Sequence, residues 1–283
     1  MLFRSILLLT SLAMLAFAGN SLLCRLALRN TAIDAASFTA IRLVSGALVL
    51  WLIARRFRRD QSGSGNWPSA LALFAYAAAF SFAYRSLPAG AGALLLFGAV
   101  QATMIGWGLW SGERLRAPQL AGLAVALGGL SGLLLPGVSA PPLGASVLMI
   151  GAGIAWGVYS LRGKGAGDPT RVTAGNFLRA APVAVALGLF MFTLDGASLD
   201  AAGFCYAVAS GAVTSGIGYA IWYTALPALK ATTAATVQLS VPVITALGGI
   251  AFLGEPVTLR LVLASSAILG GIALVVLQKR AAN

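Results

Sequence analysis

Apolar residues run along this chain in ten long stretches, about 5–24, 34–54, 67–84, 89–111, 117–135, 143–161, 172–193, 201–223, 229–253 and 257–277. A hydrocarbon core about 30 Å thick is crossed by roughly 20 apolar residues in a helix, so each stretch predicts a membrane span. The polar positions gather between them. Arg55-Arg56-Phe57-Arg58-Arg59-Asp60 with its Ser/Gly tail, Pro136-Gly137 through Pro141-Pro142, Gly163 to Pro169, and Asp195-Gly196 are breaks that leave no room for a soluble domain. Pro88, Pro118 and Pro227 fall at or beside predicted helix starts, where a missing N–H costs nothing.

Composition agrees with this pattern. Apolar residues make up 59% of the chain and charged residues 9%, with a mean hydropathy of +0.91, whereas a soluble domain carries roughly 25% charged residues. The net charge of +12 is read through its placement. If the Arg55–Arg59 cluster is cytoplasmic, the same side holds Arg4, Arg114, Arg116, Arg162, Lys164, Arg171, Lys230, Lys279 and Arg280, and the other side only Arg25, Arg29, Arg85 and Arg260. That asymmetry orients a membrane protein with both termini cytoplasmic and disfavours a polyanion partner. Ala16-Phe17-Ala18 imitates a signal-peptide cleavage site, but the apolar run continues past it to about Leu28. Cys24 and Cys205 lie in apolar spans with no ligand partner nearby in sequence, and both are read as small buried residues.

The second half repeats the first. Tyr84-Arg85-Ser86-Leu87-Pro88-Ala89, an apolar stretch and Gly112-Glu113 return as Tyr223-Thr224-Ala225-Leu226-Pro227-Ala228, an apolar stretch and Gly254-Glu255. Five spans per half is an odd number, so the second half enters the membrane from the opposite face. The sequence therefore predicts an all-α membrane protein of ten transmembrane helices. These form two inverted five-helix repeats, residues 1–138 and 139–283, around a central cavity.

These motifs resemble the EamA family of the drug/metabolite transporter superfamily, over essentially the whole chain. Within it the chain is most similar to YddG-type amino-acid exporters. Arg42 and Arg179 in the second helix of each half fit the family pattern, as does Val241-Pro242; Gln101 departs from it, standing where the first repeat would carry a proline. The resemblance implies a multi-pass transporter of the bacterial inner membrane that exports small metabolites, foremost neutral or aromatic amino acids. The alternatives it leaves open are sugars, nucleotide-like compounds and cationic drugs.

The residues speak to mechanism. Asp34, Glu113, Asp195, Asp200 and Glu255 fall at span ends and the chain has no His, which disfavours proton coupling through a buried carboxylate. Uniport or exchange is the expectation. A channel would need a continuous polar stripe, which no span shows, and an enzyme would need a nucleophile and base or metal ligands, which are lacking. No cofactor or metal is expected. The expected partners are a small-molecule substrate and the lipid bilayer, without nucleic acid, in a monomer or alternatively a dimer.

Candidate substrate-binding residues are amphipathic and unionised. Tyr76, Phe80 and Tyr84 share a face of the third helix at i, i+4 and i+8, and Tyr219 and Tyr223 repeat that spacing on the eighth. Trp156 and Tyr159 on the sixth, Asn20 on the first, and Gln101 and Gln238 on the fourth and ninth complete the set. Each aromatic can equally be packing or a belt residue. Arg42 and Arg179 are either ties to helix ends or attractors of a substrate carboxylate. Glu113 and Glu255 are read as caps at the starts near Pro118 and Thr258 in preference to ion-coupling sites, and Lys230 as an interfacial anchor. Glycine supplies 34 of 283 residues, above the usual share of about 7%; Gly128 with Gly132, Gly122 with Ala126, and Gly270-Gly271 are read as helix contacts.

Overall fold

The computed structural model describes residues 2–56, 63–112, 114–137, 140–163, 167–229 and 237–280. The first seven helices are α1 (Leu2–Asn30), α2 (Ala35–Arg56), α3 (Trp67–Tyr84), α4 (Ala89–Trp110), α5 (Ala117–Leu134), α6 (Leu143–Arg162) and α7 (Pro169–Asp195). The next run, α8 (Ala201–Ala228), is α-helical over Ala201–Val208, π-helical over Ala209–Ile217, α-helical again over Gly218–Ala225, and closes in a 3₁₀ turn. Last come α9 (Ser240–Leu253) and α10 (Leu259–Arg280). Among the described residues, eight helices, α1 to α8, are long and apolar enough to cross a membrane, and the apolar parts of α9 and α10 are shorter.

The sequence places helix starts where it supplies an acceptor for the first free N–H groups. Asp34 accepts from Ala36 and Ser37 at α2, Asn66 from Ser69 at α3, Asp168 from Arg171 at α7 and Asp200 from Gly203 at α8. Proline sits in the first turn of α3, α5 and α7. Gly254 ends α9 in the left-handed region at φ 61°, a conformation that only glycine adopts without cost. Exposed large apolar side chains such as Phe252, Leu259, Leu143 and Phe190 clothe the outside of the bundle, as a lipid-facing surface requires.

α2 packs along α7, α5 along α10, and α4 along α9; α6 lies against α3 and α4, and α1 against α8 and α9. Close crossings use small residues, since association in lipid depends on backbone proximity. Gly122 and Gly129 of α5 face Gly271, Ala267 and Ile268 of α10, and Gly211 of α8 lies on the Arg42 carbonyl of α2.

Several expectations are corrected. Gly128, Gly132 and Gly270 face open space and form no helix contact. α1 runs to Asn30, six residues past the predicted end of its span. Pro227 lies in the closing turn of α8, not at the start of a helix, and α9 is described from Ser240 only. Cys24 is buried as expected, but Cys205 is exposed on the outer face. Glu113 and Lys230 lie outside the described residues.

Candidate functional site

A cavity of about 300 Å³ lies inside the bundle, walled by both halves of the chain, at the lower end of the range of about 300–1,000 Å³ usual for ligand pockets. Nine of the ten predicted substrate-binding residues line it: Asn20 from α1, Tyr76 and Phe80 from α3, Gln101 from α4, Trp156 and Tyr159 from α6, Tyr219 and Tyr223 from α8, and Gln238 just ahead of α9. Helical spacing of three or four residues delivers these pairs to one face, and the bundle turns the faces toward each other.

The aromatic rings are stacked, not scattered. Trp156 lies at the centre, with ring centroids 4.8 Å from Tyr76, 5.2 Å from Tyr159 and 5.4 Å from Tyr219; the last two pairs are stacked at 29° and 18°. Phe17 meets Tyr219 at a tilt at 5.6 Å and Trp222 edgewise at 6.0 Å. The other four tryptophans do different work. Trp67, Trp107 and Trp110 are exposed, and Trp51 carries the Arg55 guanidinium 3.9 Å over its ring, as interfacial anchors do.

Two polar clusters interrupt the apolar wall. At the inner end, Asn20 Oδ1 accepts from Ser210 at 2.7 Å and Thr214 at 3.4 Å, and Asn20 Nδ2 donates to the Tyr76 hydroxyl at 3.3 Å. The π-helical segment of α8 brings Ser210, Thr214 and Ser215 to this point together, since the wider turn re-aims successive side chains. Toward the other end, Asn176 donates to the Tyr159 hydroxyl at 3.4 Å, and that hydroxyl donates to Thr173 at 3.5 Å. Asn176, Thr173, Thr214, Ser215, Phe17 and Trp222 also line the cavity and were not foreseen. Polar residues within an apolar run are the one signal that could have found them, and Thr173, Asn176, Thr214 and Ser215 carry it.

The two ends of the cavity differ. At one, its lining reaches Gly163 and Pro169, both exposed, where α6 ends and α7 begins. At the other, Arg25 donates to Glu255 at 3.2 Å and to the carbonyls of Tyr84 and Arg85 at 2.9 and 3.0 Å. Glu255 in turn accepts from the Ala89 N–H at 2.7 Å, so it caps α4 and not the helix that follows it. Both charged side chains are nearly buried, and together they tie α1, the α3–α4 turn and the α9–α10 turn into a plug.

Tyr84 belongs to this plug and does not line the cavity. Its ring is fully buried edge-on to Phe80 at 4.7 Å and its hydroxyl donates to the Ala89 carbonyl at 3.3 Å. Its repeat counterpart Tyr223 lines the cavity. The two arginines also part ways. Arg179 donates to the carbonyls of Ser64 and Gly175 at 2.7 and 2.9 Å, fixing the α2–α3 loop on α7 away from the cavity. Arg42 is buried behind the wall and donates 3.0 Å to the Tyr76 hydroxyl.

At the same face as the plug, Asp34 ties the α1–α2 turn to the α7–α8 connection, accepting from Ser37 and Ser198 and donating its N–H to the Ser198 carbonyl at 2.9 Å. Partial burial pushes its carboxyl up, but the hydrogen bonds from Ser37, Ser198 and Ala36 outweigh this and hold it below the usual carboxylate value.

Residues 143–277 match the family model described as the EamA-like transporter family. The uncharacterized protein PA1977 of Pseudomonas aeruginosa is 59% identical over 274 residues, 96% of this chain and 94% of that one. A crystal structure of a protein 20% identical superposes with a TM-score of 0.66 over 98% of this chain and 99% of its own, a likeness of fold.

Proposed function

Residues 143–277 carry an EamA-like transporter family domain, and from that premise we propose that the whole chain is a multi-pass membrane transporter of small molecules of this family, which exports neutral or aromatic amino acids across a bacterial inner membrane by alternating access. One observation carries the reading. Side chains from both halves converge on a single cavity whose wall is aromatic and amide-bearing, with no carboxylate among its described lining residues. Such a wall suits a small amphipathic solute, and its described residues offer no carboxylate through which protons would be coupled. Uniport or exchange follows.

Alternating access requires two halves that can exchange roles. The proposed repeats, residues 1–138 and 139–283, are supported by the match of the family model to 143–277 and by the packing. α3 on α6 has its counterpart in α8 on α1, α4 on α6 in α9 on α1, and α3 on α7 in α8 on α2. Exchanging the halves leaves this pattern of neighbours in place, as an in-plane two-fold axis would. With α9 and α10 counted as spans, there are ten and both termini are cytoplasmic. The cavity then reaches toward the cytoplasm while the Arg25–Glu255 plug closes the periplasmic end, and one chain suffices because both halves wall the cavity.

Counterflow in proteoliposomes tests the substrate class. Neutral amino acids are expected to accelerate exchange of a labelled amino acid, whereas sugars and quaternary amines leave it unchanged. Acceleration by sugars or quaternary amines instead rejects amino-acid export. Flux that follows an imposed pH gradient at fixed substrate gradient rejects uniport or exchange.

A further inference from the structure

Arg42 is 1% exposed and has no carboxylate partner among the described residues. One of its nitrogens, Nη2, donates to the Tyr76 hydroxyl at 3.0 Å; Nε and Nη1 have no hydrogen-bond partner among the described residues. The guanidinium carbon lies 4.9 Å from the Phe80 ring centroid and 5.3 Å from that of Tyr76. An arginine does not shed its proton, and aromatic faces only partly offset a cation removed from water. The described part of the bundle thus holds a positive charge one side chain behind the cavity wall with no carboxylate to balance it.

Tyr76 transmits that charge. Its oxygen accepts from Arg42 Nη2 and from Asn20 Nδ2, which occupies both lone pairs. Its own O–H has no acceptor among the described residues, and the side chain lines the cavity. A hydroxyl that accepts from a cation is a stronger donor in turn. We propose that the Tyr76 hydroxyl, charged through Arg42, receives the carboxylate of the transported molecule, so that the cavity takes small organic monocarboxylates, zwitterionic amino acids among them, and rejects compounds whose only charge is positive. This rests on the cavity being the transport site. The ammonium of a zwitterion is shielded from the Arg42 field by its own carboxylate, whereas a lone cation meets that field unshielded. Arg42 acts through Tyr76 and is a positioning residue.

The test uses the full-length protein in proteoliposomes loaded with labelled L-phenylalanine. L-phenylalaninamide lacks the carboxylate, and 3-phenylpropanoate lacks the ammonium. Both carboxylates are expected to drive counterflow, and the amide to be weaker by about tenfold or more, the scale of one charge-assisted hydrogen bond. Tyr76→Phe, which keeps the ring and its packing, should erase most of the acid-over-amide preference. Arg42→Gln should do the same and Arg42→Lys restore part of it. Quenching of tryptophan fluorescence, with Trp156 and Trp222 in the wall, reads binding apart from transport. Equal handling of acid and amide, or a preference intact in folded Tyr76→Phe, overturns the carboxylate site and leaves the transport reading standing. Failure of all three probes while a sugar or quaternary amine is carried overturns the substrate class itself.

Discussion

Tyr84 and Tyr223 stand at equivalent places in the repeat, yet one is sealed in a plug and the other faces the cavity. What surrounds a residue, not its spacing, set its role. The same holds for Arg42 and Arg179, of which one sits behind the cavity wall and the other fastens a loop. Trp156, with three ring partners, organises the aromatic wall. Trp156→Ala is expected to lower the counterflow rate at least several-fold at unchanged expression, because each aromatic pair contributes about 0.5–1.5 kcal/mol beyond area burial. A rate equal to wild type would remove Trp156 from the site. Asp34 makes a different residue-scale prediction. Its carboxyl is held below the usual value in the fold, so its stabilisation is present above about pH 4 and is lost as pH falls through the lowered value. Asp34→Asn should melt lower than wild type at pH 7, with the gap closing in acid; a pH-independent gap would contradict it.

The helices themselves were legible. A run of about 20 apolar residues has one stable form in lipid, since only a helix satisfies its own backbone there. Most predicted ends fall within a few residues of those observed, set by Asp34, Asn66, Asp168 and Asp200 as caps. Two features of the elements were not legible. The π-helical part of α8 packs on α2, where Gly211 meets the Arg42 carbonyl, and no local sequence signal distinguishes it from an ordinary turn. The glycines show the same limit: the sequence marks small residues, but which face meets a neighbour depends on the packing angle. Gly122 faces Gly271, while Gly128 and Gly132 are open. Gly122→Leu should therefore destabilise the α5–α10 pair by about 1–3 kcal/mol, as overpacking does, measured as a lower melting temperature in detergent. Gly128→Leu is expected to have little effect, and equal losses in the two variants would refute the assignment.

At the scale of the molecule, the Arg25–Glu255 plug joins elements far apart in sequence, from α1, the α3–α4 turn and the α9–α10 turn. Breaking a buried pair by removing one partner costs about 3–5 kcal/mol, a cost borne by the closed end alone. Glu255→Gln keeps an acceptor for the Ala89 N–H but loses the charge opposite Arg25. It should favour the state open at that end. Cys24, buried one residue before Arg25, reports the change: in a Cys205→Ser background an impermeant maleimide applied from that side should react with it several-fold faster. An unchanged rate would mean the plug is not a gate. The sequence by itself determined that the chain is helical, that it lives in a membrane and part of the set of polar and aromatic residues that could line a cavity. Those follow from composition, run length and helical period, which are local quantities. Only the tertiary structure decided that nine of the ten predicted residues share one cavity, that Tyr84 does not, that Glu255 caps a helix 166 residues away in sequence, and that Arg42 stands behind Tyr76 with no carboxylate partner among the described residues. Those depend on which helix faces which neighbour, and that is fixed by long-range packing.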